Sequence, residues 1–220
     1  MLPDLQEIQE WLPDLLQGLG VSLQVTGLSL LFGIPLGLAL ALAVMGRNPV
    51  IKAIALFLVE VGRGAPALVL LQFLYFGLPS SGITVGAMFS AVVAIAWNTG
   101  AYTSEIIRAS LLSIPAGQRE AAAAMSFSPL DELRFVLLPQ GLKVALPALL
   151  GFSILIFQGT SLCFTIALPE LVSRAYEIGS NTFRYLPVLL LAGLLYAAIS
   201  IPAALLVDHV ERRAARNSQR

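Results

Sequence analysis

Four windows of this 220-residue chain, 17–46, 64–104, 144–169 and 185–207, hold no charged side chain. A helix needs only about 20 apolar residues to cross a hydrocarbon core. The second window is too long for one crossing. It is divided by the turn cluster Gly77-Leu78-Pro79-Ser80-Ser81-Gly82. Five transmembrane helices are therefore predicted, over residues 19–45, 54–77, 84–106, 144–167 and 185–207. The expected fold class is an all-α membrane protein embedded in a lipid bilayer. Charged residues make up 12% of the chain, about half the share of a soluble domain. One cysteine (Cys163) and one histidine (His209) exclude a disulfide framework and a Cys/His metal site within one chain.

Lysine and arginine set the orientation. Residues 1–17 carry Asp4, Glu7, Glu10 and Asp14 and no basic group, so this end is expected outside. A signal peptide needs a basic start, so none is predicted. Arg47, Lys52, Arg108, Arg119, Arg134 and Lys143, and the closing Arg212, Arg213, Arg216 and Arg220, all fall inside on this count. Arg174 and Arg184 violate the rule and are expected to be balanced by Glu170 and Glu177. The N-terminus is thus read as periplasmic and the C-terminus as cytoplasmic. Residues 1–18 form an interfacial amphipathic helix, broken or kinked at Pro13. Residues 19–210 form the five-span domain, and 211–220 a basic cytoplasmic tail.

Several polar groups lie near the spans. Glu60 and Arg63, spaced i, i+3, are either a gate on a substrate path or an ion pair locking the end of a span. Gly64 and Pro66 should kink the chain just beyond them. Asn98 is either pore-facing or bonded to a neighbouring helix. The run Gln158-Gly159-Thr160-Ser161-Leu162-Cys163 suggests a broken, cavity-lining helix or, equally, small-residue packing. Gly27, Gly33, Pro35 and Gly37 favour close helix approach in span one. Cys163 reads as inert and buried, and His209 as a residue meeting the end of a helix dipole.

The longest mixed-polarity interval is 117–147. Ala121, Ala122, Ala123 and Ala124 lie within a strong helix-forming run. Ser126-Phe127 breaks that run. Ser128, Pro129 and Asp131 open a second helix with a variant of the capping box, and this helix is expected to stop before Pro139. Leu130, Leu133, Val136 and Leu137 are spaced to pin it to the membrane domain. A cytoplasmic two-helix elbow, within a loop spanning 109–143, is the expectation.

These residues resemble the EAA loop of binding-protein-dependent ABC importer permeases. Glu120-Ala121-Ala122 is followed at the family's spacing by Ser126, Val136 and Leu138-Pro139. Further stretches, Tyr75 to Pro79, Gly100-Ala101-Tyr102, Glu105 with Arg108, Thr160-Ser161-Leu162 and Pro169-Glu170-Leu171, resemble the polar amino-acid branch, whose solutes include histidine, glutamate, glutamine, arginine and opines. The resemblance covers about residues 20–213. It implies an ABC type I importer permease core in the bacterial inner membrane, forming the translocation path with a second permease. A pair of cytoplasmic ATPases would dock on the loop through Glu120, Ala121, Ala122, Ser126, Phe127, Leu138 and Pro139. A periplasmic amino-acid-binding protein would deliver the solute along Glu60, Arg63, Asn98, Gln158, Thr160 and Ser161. ATP and Mg would be held by the partner ATPase, and this chain would carry no cofactor and no catalytic residue.

Three departures from the family pattern stand out. Ser126 stands for a glycine, which costs about 1–2 kcal/mol if that residue needs a left-handed backbone. Gln158-Gly159 replaces Lys-Asp, and Ala65 replaces Thr. The thinned polar lining favours a sister heterodimer over a homodimer. Neither of the two lysines, Lys52 and Lys143, follows a glycine, so no P-loop is present and a partner must supply the energy. A secondary transporter or channel is the alternative. The spans show no inverted repeat and no chain of acids to support it. An intramembrane hydrolase would need a Ser–His or Cys–His pair that the lone His209 and Cys163 do not offer.

Overall fold

In a computed structural model, the backbone is described for residues 4–218 and the side chains for residues 4–212. Helices α1 (Leu5–Met45), α2 (Pro49–Gly64), α3 (Ala67–Gln72), α4 (Ala87–Leu112), α5 (Ala116–Ala124), α6 (Pro129–Asp131), α7 (Leu138–Gly159), α8 (Leu171–Thr182) and α9 (Tyr185–Ser218) follow in chain order, with no strand among the described residues. Leu2 and part of the basic tail, Arg213, Arg216 and Arg220, lie outside the described side chains.

The expected N-terminal helix and first span are one unbroken α1. A reciprocal capping box opens it: the Glu7 N–H donates to Asp4 Oδ1 at 2.8 Å, and the Asp4 N–H to Glu7 Oε2 at 3.0 Å. Pro13 and Pro35 both lie inside it. The break expected at Pro13 is absent because Trp11, Leu15 and Leu19 on either side are buried against α8 and α9. That packing offsets the hydrogen bond that a mid-helix proline forfeits.

Three runs are long and apolar enough to span a membrane: Leu5–Met45, Pro129–Ile166 and Tyr185–Arg212. A fourth arises if Pro49–Gly64 and Ala67–Ser81, bent by 103°, count as one. The bend falls at Gly64-Ala65-Pro66, where a kink was expected. Helix α4, at 26 residues, is not among these runs. Asn98, Thr99, Tyr102, Thr103 and Ser104 dilute its apolar character. Thr99, Thr103 and Ser104 are buried inside the protein, whereas Phe89 and Leu112 of the same helix are exposed.

Helix α1 carries the core along its length. Its first third joins α8 and α9 through Trp11, Leu15 and Leu19. Val25 joins the cluster of Leu71, Ala91 and Ile166. Ala41 joins Ile107, Leu111 and Leu149. The closest seam is with α4. A Cβ at Gly33 would stand 2.6 Å from Thr99 Cβ and 2.9 Å from the Ala96 carbonyl oxygen, and one at Gly37 would overlap Thr103 Oγ1. Gly27 has open space instead, so of Gly27, Gly33 and Gly37 only the last two serve close approach.

The seam predicts that Gly37→Leu destabilises the protein by about 1–3 kcal/mol, the cost of overpacking. Gly27→Leu should leave the melting temperature of the purified protein unchanged in the same detergent. Equal melting of both variants would mean the α1–α4 contact is not tight.

Candidate functional site

The interval between α4 and α7 forms the expected elbow, with its geometry set by local chemistry. Helix α4 ends at Ser113, whose N–H donates to the Ala109 carbonyl. Pro115 then sets the start of α5. At the far end of α5 the Ser126 N–H donates to the Ala123 carbonyl at 2.9 Å and the Phe127 N–H to the Ala122 carbonyl at 3.1 Å. This pair of bonds is a Schellman termination, which requires a left-handed residue between them. That residue is Ser126, at φ 60°. The position where the family has glycine is thus one that needs positive φ, and serine is strained there.

Ser128 caps the next helix as its sequence foretold. Its Oγ accepts from the Asp131 N–H at 3.2 Å and donates to Asp131 Oδ2 at 2.6 Å. The helix does not stop before Pro139. Residues Glu132–Leu137 take wider π-type turns and run straight into α7. The Leu138 N–H reaches back five residues to the Leu133 carbonyl. This widened stretch lies where an α-helix would press the Pro139 ring against the preceding turn.

The elbow is rooted in the core. Ile114 and Leu137 are buried with Ile107, Leu111 and Ala145. Gln140 Nε2 donates to Gln118 Oε1 at 3.3 Å and to the Val136 carbonyl at 3.0 Å, tying α5 to α7. Leu133 and Val136 pack on that cluster, but Leu130 is 71% exposed and pins nothing. Of the expected docking residues, Glu120, Ala121, Ser126 and Pro139 are exposed, and Phe127 and Leu138 half-buried. Ala122 is only 4% exposed and faces inward. The outer face therefore consists of Glu120, Ala121, Ala123, Ala124 and Met125.

The expected path residues are not brought into one cavity. Asn98 lines a cavity of about 170 Å³ with Phe152, Gly159 and Leu162. Its Nδ2 also donates to the Gly62 carbonyl at 2.8 Å, and Tyr102 Oη donates to the Arg63 carbonyl at 3.3 Å. These bonds satisfy carbonyls that the break after α2 leaves without helical partners. Gln158 and Ser161 line a different cavity of about 480 Å³, with Tyr196 and Ser200. The tight 3-10 turn Thr160–Ile166 separates the two. Thr160 is fully buried and donates to the Phe157 carbonyl at 2.7 Å. Glu60 and Arg63 are exposed and form no ion pair among the described residues. The Arg63 guanidinium lies 5.7 Å from the centre of the Tyr102 ring instead.

Glu170 has a role that the sequence reading missed. It was expected to balance Arg174 and Arg184, but Arg174 pairs with Glu177 at 2.9 Å and Arg184 with Glu7. Glu170 is 0% exposed. Its carboxyl caps α8, accepting from the Val172 N–H at 3.0 Å and the Ser173 N–H at 2.8 Å. It also accepts from Tyr196 Oη at 3.1 Å and Ser22 Oγ at 3.4 Å. It thereby joins α1, α8 and α9. Burial pushes this carboxyl above its ordinary value of 4.5, and the N–H and O–H donors oppose the shift only in part. An acid directly before the amphipathic α8 was the available signal.

The sequence matches, over residues 33–216, the family described as the inner membrane component of binding-protein-dependent transport systems. The chain belongs to this family. Such a permease is a multi-pass protein of the bacterial inner membrane. Similar relatives include a probable amino-acid ABC transporter permease, YckA of Bacillus subtilis strain 168, 34% identical over 93% of this chain and 90% of its own length. The arginine transport system permease ArtQ of the same strain is 34% identical, covering 94% of each chain. The glutamine permease GlnP of Escherichia coli K12 is 33% identical over 92% of this chain and 93% of its own. Among solved structures, an amino acid ABC transporter crystallised with histidines matches with TM-score 0.90 and 32% identity, over 97% of this permease and all of that chain. The inward-facing methionine transporter MetNI, at 22% identity and TM-score 0.69, shares the fold.

The raised Glu170 carboxyl gives a pH prediction. The folded permease holds this proton more tightly than the unfolded chain does. The associated stability is therefore present below 4.5 and lost as pH rises through the higher folded value. The stability of the permease relative to Glu170→Gln should fall as pH is raised from 4.5 towards neutrality. Thermal melts of both proteins across that range check it, and a constant difference would contradict it.

Proposed function

We propose that this chain is the membrane subunit of an ATP-driven amino-acid importer and that the elbow is where a cytoplasmic ATPase docks. The observation that carries the reading is the elbow's construction. An exposed face of Glu120 and small alanines is held rigidly by the Schellman turn, the Ser128 cap and the buried Ile114 and Leu137. The family membership and the amino-acid relatives support the substrate class.

In this reading the chain crosses the membrane five times. The three apolar runs, the bent pair α2–α3 and α4 are the crossings. The acidic N-terminus lies in the periplasm. The elbow and the basic tail lie in the cytoplasm, as their arginines and lysines favour. Two ATPases bind the elbows of two permeases, and a periplasmic binding protein delivers the solute. ATP and Mg reside on the ATPase. Closure of the ATPases draws the elbows together, and the rigid run from Pro129 into α7 carries that movement to the 3-10 turn at Thr160.

The solute path follows Asn98 on one side of that turn and Gln158 and Ser161 on the other, with Glu60 and Arg63 near the break after α2. Thr160 holds the turn in shape between the two cavities. Among the described residues no acidic side chain lines either cavity. A sister permease with a more polar path, in a heterodimer, would supply the missing contacts.

The test is reconstitution of the complete complex in proteoliposomes. Glu120→Lys should abolish amino-acid uptake by at least tenfold while ATP hydrolysis continues and the permease still inserts. A tenfold loss corresponds to about 1.4 kcal/mol of coupling. Normal uptake in Glu120→Lys would remove the elbow from the mechanism. Full coupling to a solute that is not an amino acid would overturn the substrate class.

A further inference from the structure

The turn joining α1 to α2 meets the elbow at a cleft of about 350 Å³ that the transport reading does not use. Its floor is apolar, with Leu42 and Met45 at the end of α1 and Leu133 from the elbow. Its rim carries Arg47, Arg119 and Glu132. Arg47 is exposed and has no ion-pair partner among the described residues. Arg119 is only loosely held. Its Nη1 is 4.0 Å from Glu132 Oε1, and its Nη2 is 3.5 Å from the Leu111 carbonyl oxygen. Two guanidiniums thus face one carboxylate, leaving net positive charge over an apolar floor.

A guanidinium presents a planar fork of donors that fits phosphate oxygens, and it is more weakly hydrated than an ammonium. Basic pockets at the cytoplasmic ends of spanning helices are suited to anionic lipid headgroups. We infer that this cleft binds the phosphate of an anionic phospholipid such as phosphatidylglycerol. Arg47 and Arg119 contact the phosphate oxygens, and an acyl chain runs past Met45 and Leu42 into the bilayer. The lipid would bridge the α1–α2 turn and the elbow, so leaflet composition would set how firmly the elbow is held. The inference rests on the cytoplasmic placement of the elbow.

The experiment places the assembled complex in nanodiscs of phosphatidylcholine with graded phosphatidylglycerol and counts retained lipid by native mass spectrometry. Arg47→Gln and Arg119→Gln should each weaken retention about fivefold, the effect of about one surface cation. The double variant should weaken it about twenty-five-fold. Arg134→Gln should have no effect, since that guanidinium lies 5.3 Å from the Phe135 ring centre and does not line the cleft. Wild-type retention in the double variant overturns the lipid site. So does displacement of the lipid by glycerol phosphate at equal concentration, which would mark a site for soluble anions. Loss of the ATPase subunit with lipid retention intact also overturns it, because the cleft would then be a protein dock. Labelling of Arg47→Cys by an impermeant thiol reagent from outside intact cells overturns the orientation. Labelling only from inside, with unchanged retention in the double variant, sinks the lipid site alone.

Discussion

Gly33 and Gly37 bring the backbone of α1 against Ala96, Thr99 and Thr103 of α4 with almost nothing between them. In a bilayer the hydrophobic effect gives helices no reason to associate, so close van der Waals contact must do so. Once α1 and α4 are seated, the other helices follow. The first third of α1 receives α8 and α9, and its last turns receive the end of α4 and the start of α7. Helix α4 can then carry threonines, serines and an asparagine in its centre, because the packing buries Thr99, Thr103 and Ser104 and half-buries Asn98. Those polar groups are put to use. Asn98 and Tyr102 satisfy the carbonyls freed at the break after α2.

The elbow extends the same rigid body. Ile114 and Leu137 anchor its two ends in the cluster that α1 and α4 share with α7. Between those anchors the chain turns through a strained left-handed Ser126 and a capped Ser128. The strain persists because the surrounding helices over-determine the turn. A flexible connection would dissipate a push from a partner. This one is continuous, through the π-type turns, with a helical run from Pro129 to Ile166.

Features governed by a few neighbouring residues were legible in the sequence. Ser128-Pro129-Asp131 announced a helix start. Gly64 and Pro66 announced a break, and Ser126 in place of the family glycine raised the question of a left-handed residue, which φ 60° answers. Features governed by distant packing were not. Pro13 reads as a break until Trp11 and Leu15 are seen buried against α8 and α9. Pro139 reads as a stop until the wider turns before it appear. Glu170 reads as a counter-charge to Arg174 and Arg184 until Ser22 and Tyr196 close over it. The path residues looked like one group because Asn98, Gln158 and Ser161 share polarity, but a 3-10 turn places them around two cavities. Ala121 and Ala122 were both expected on the docking face, whereas the helical phase turns Ala122 inward and leaves Ala121 and Ala124 outward.

That phase offers the most direct test of the elbow as the docking surface. Single cysteines at Ala121, Ala122 and Ala124, in a complex otherwise free of reactive cysteine, can be probed with a short bifunctional thiol reagent in native membranes. Cross-links from Ala121→Cys and Ala124→Cys to the ATPase subunit, and none from Ala122→Cys, are the predicted result. Absence of any cross-link from the two outward positions, with the complex intact and active, would contradict the account.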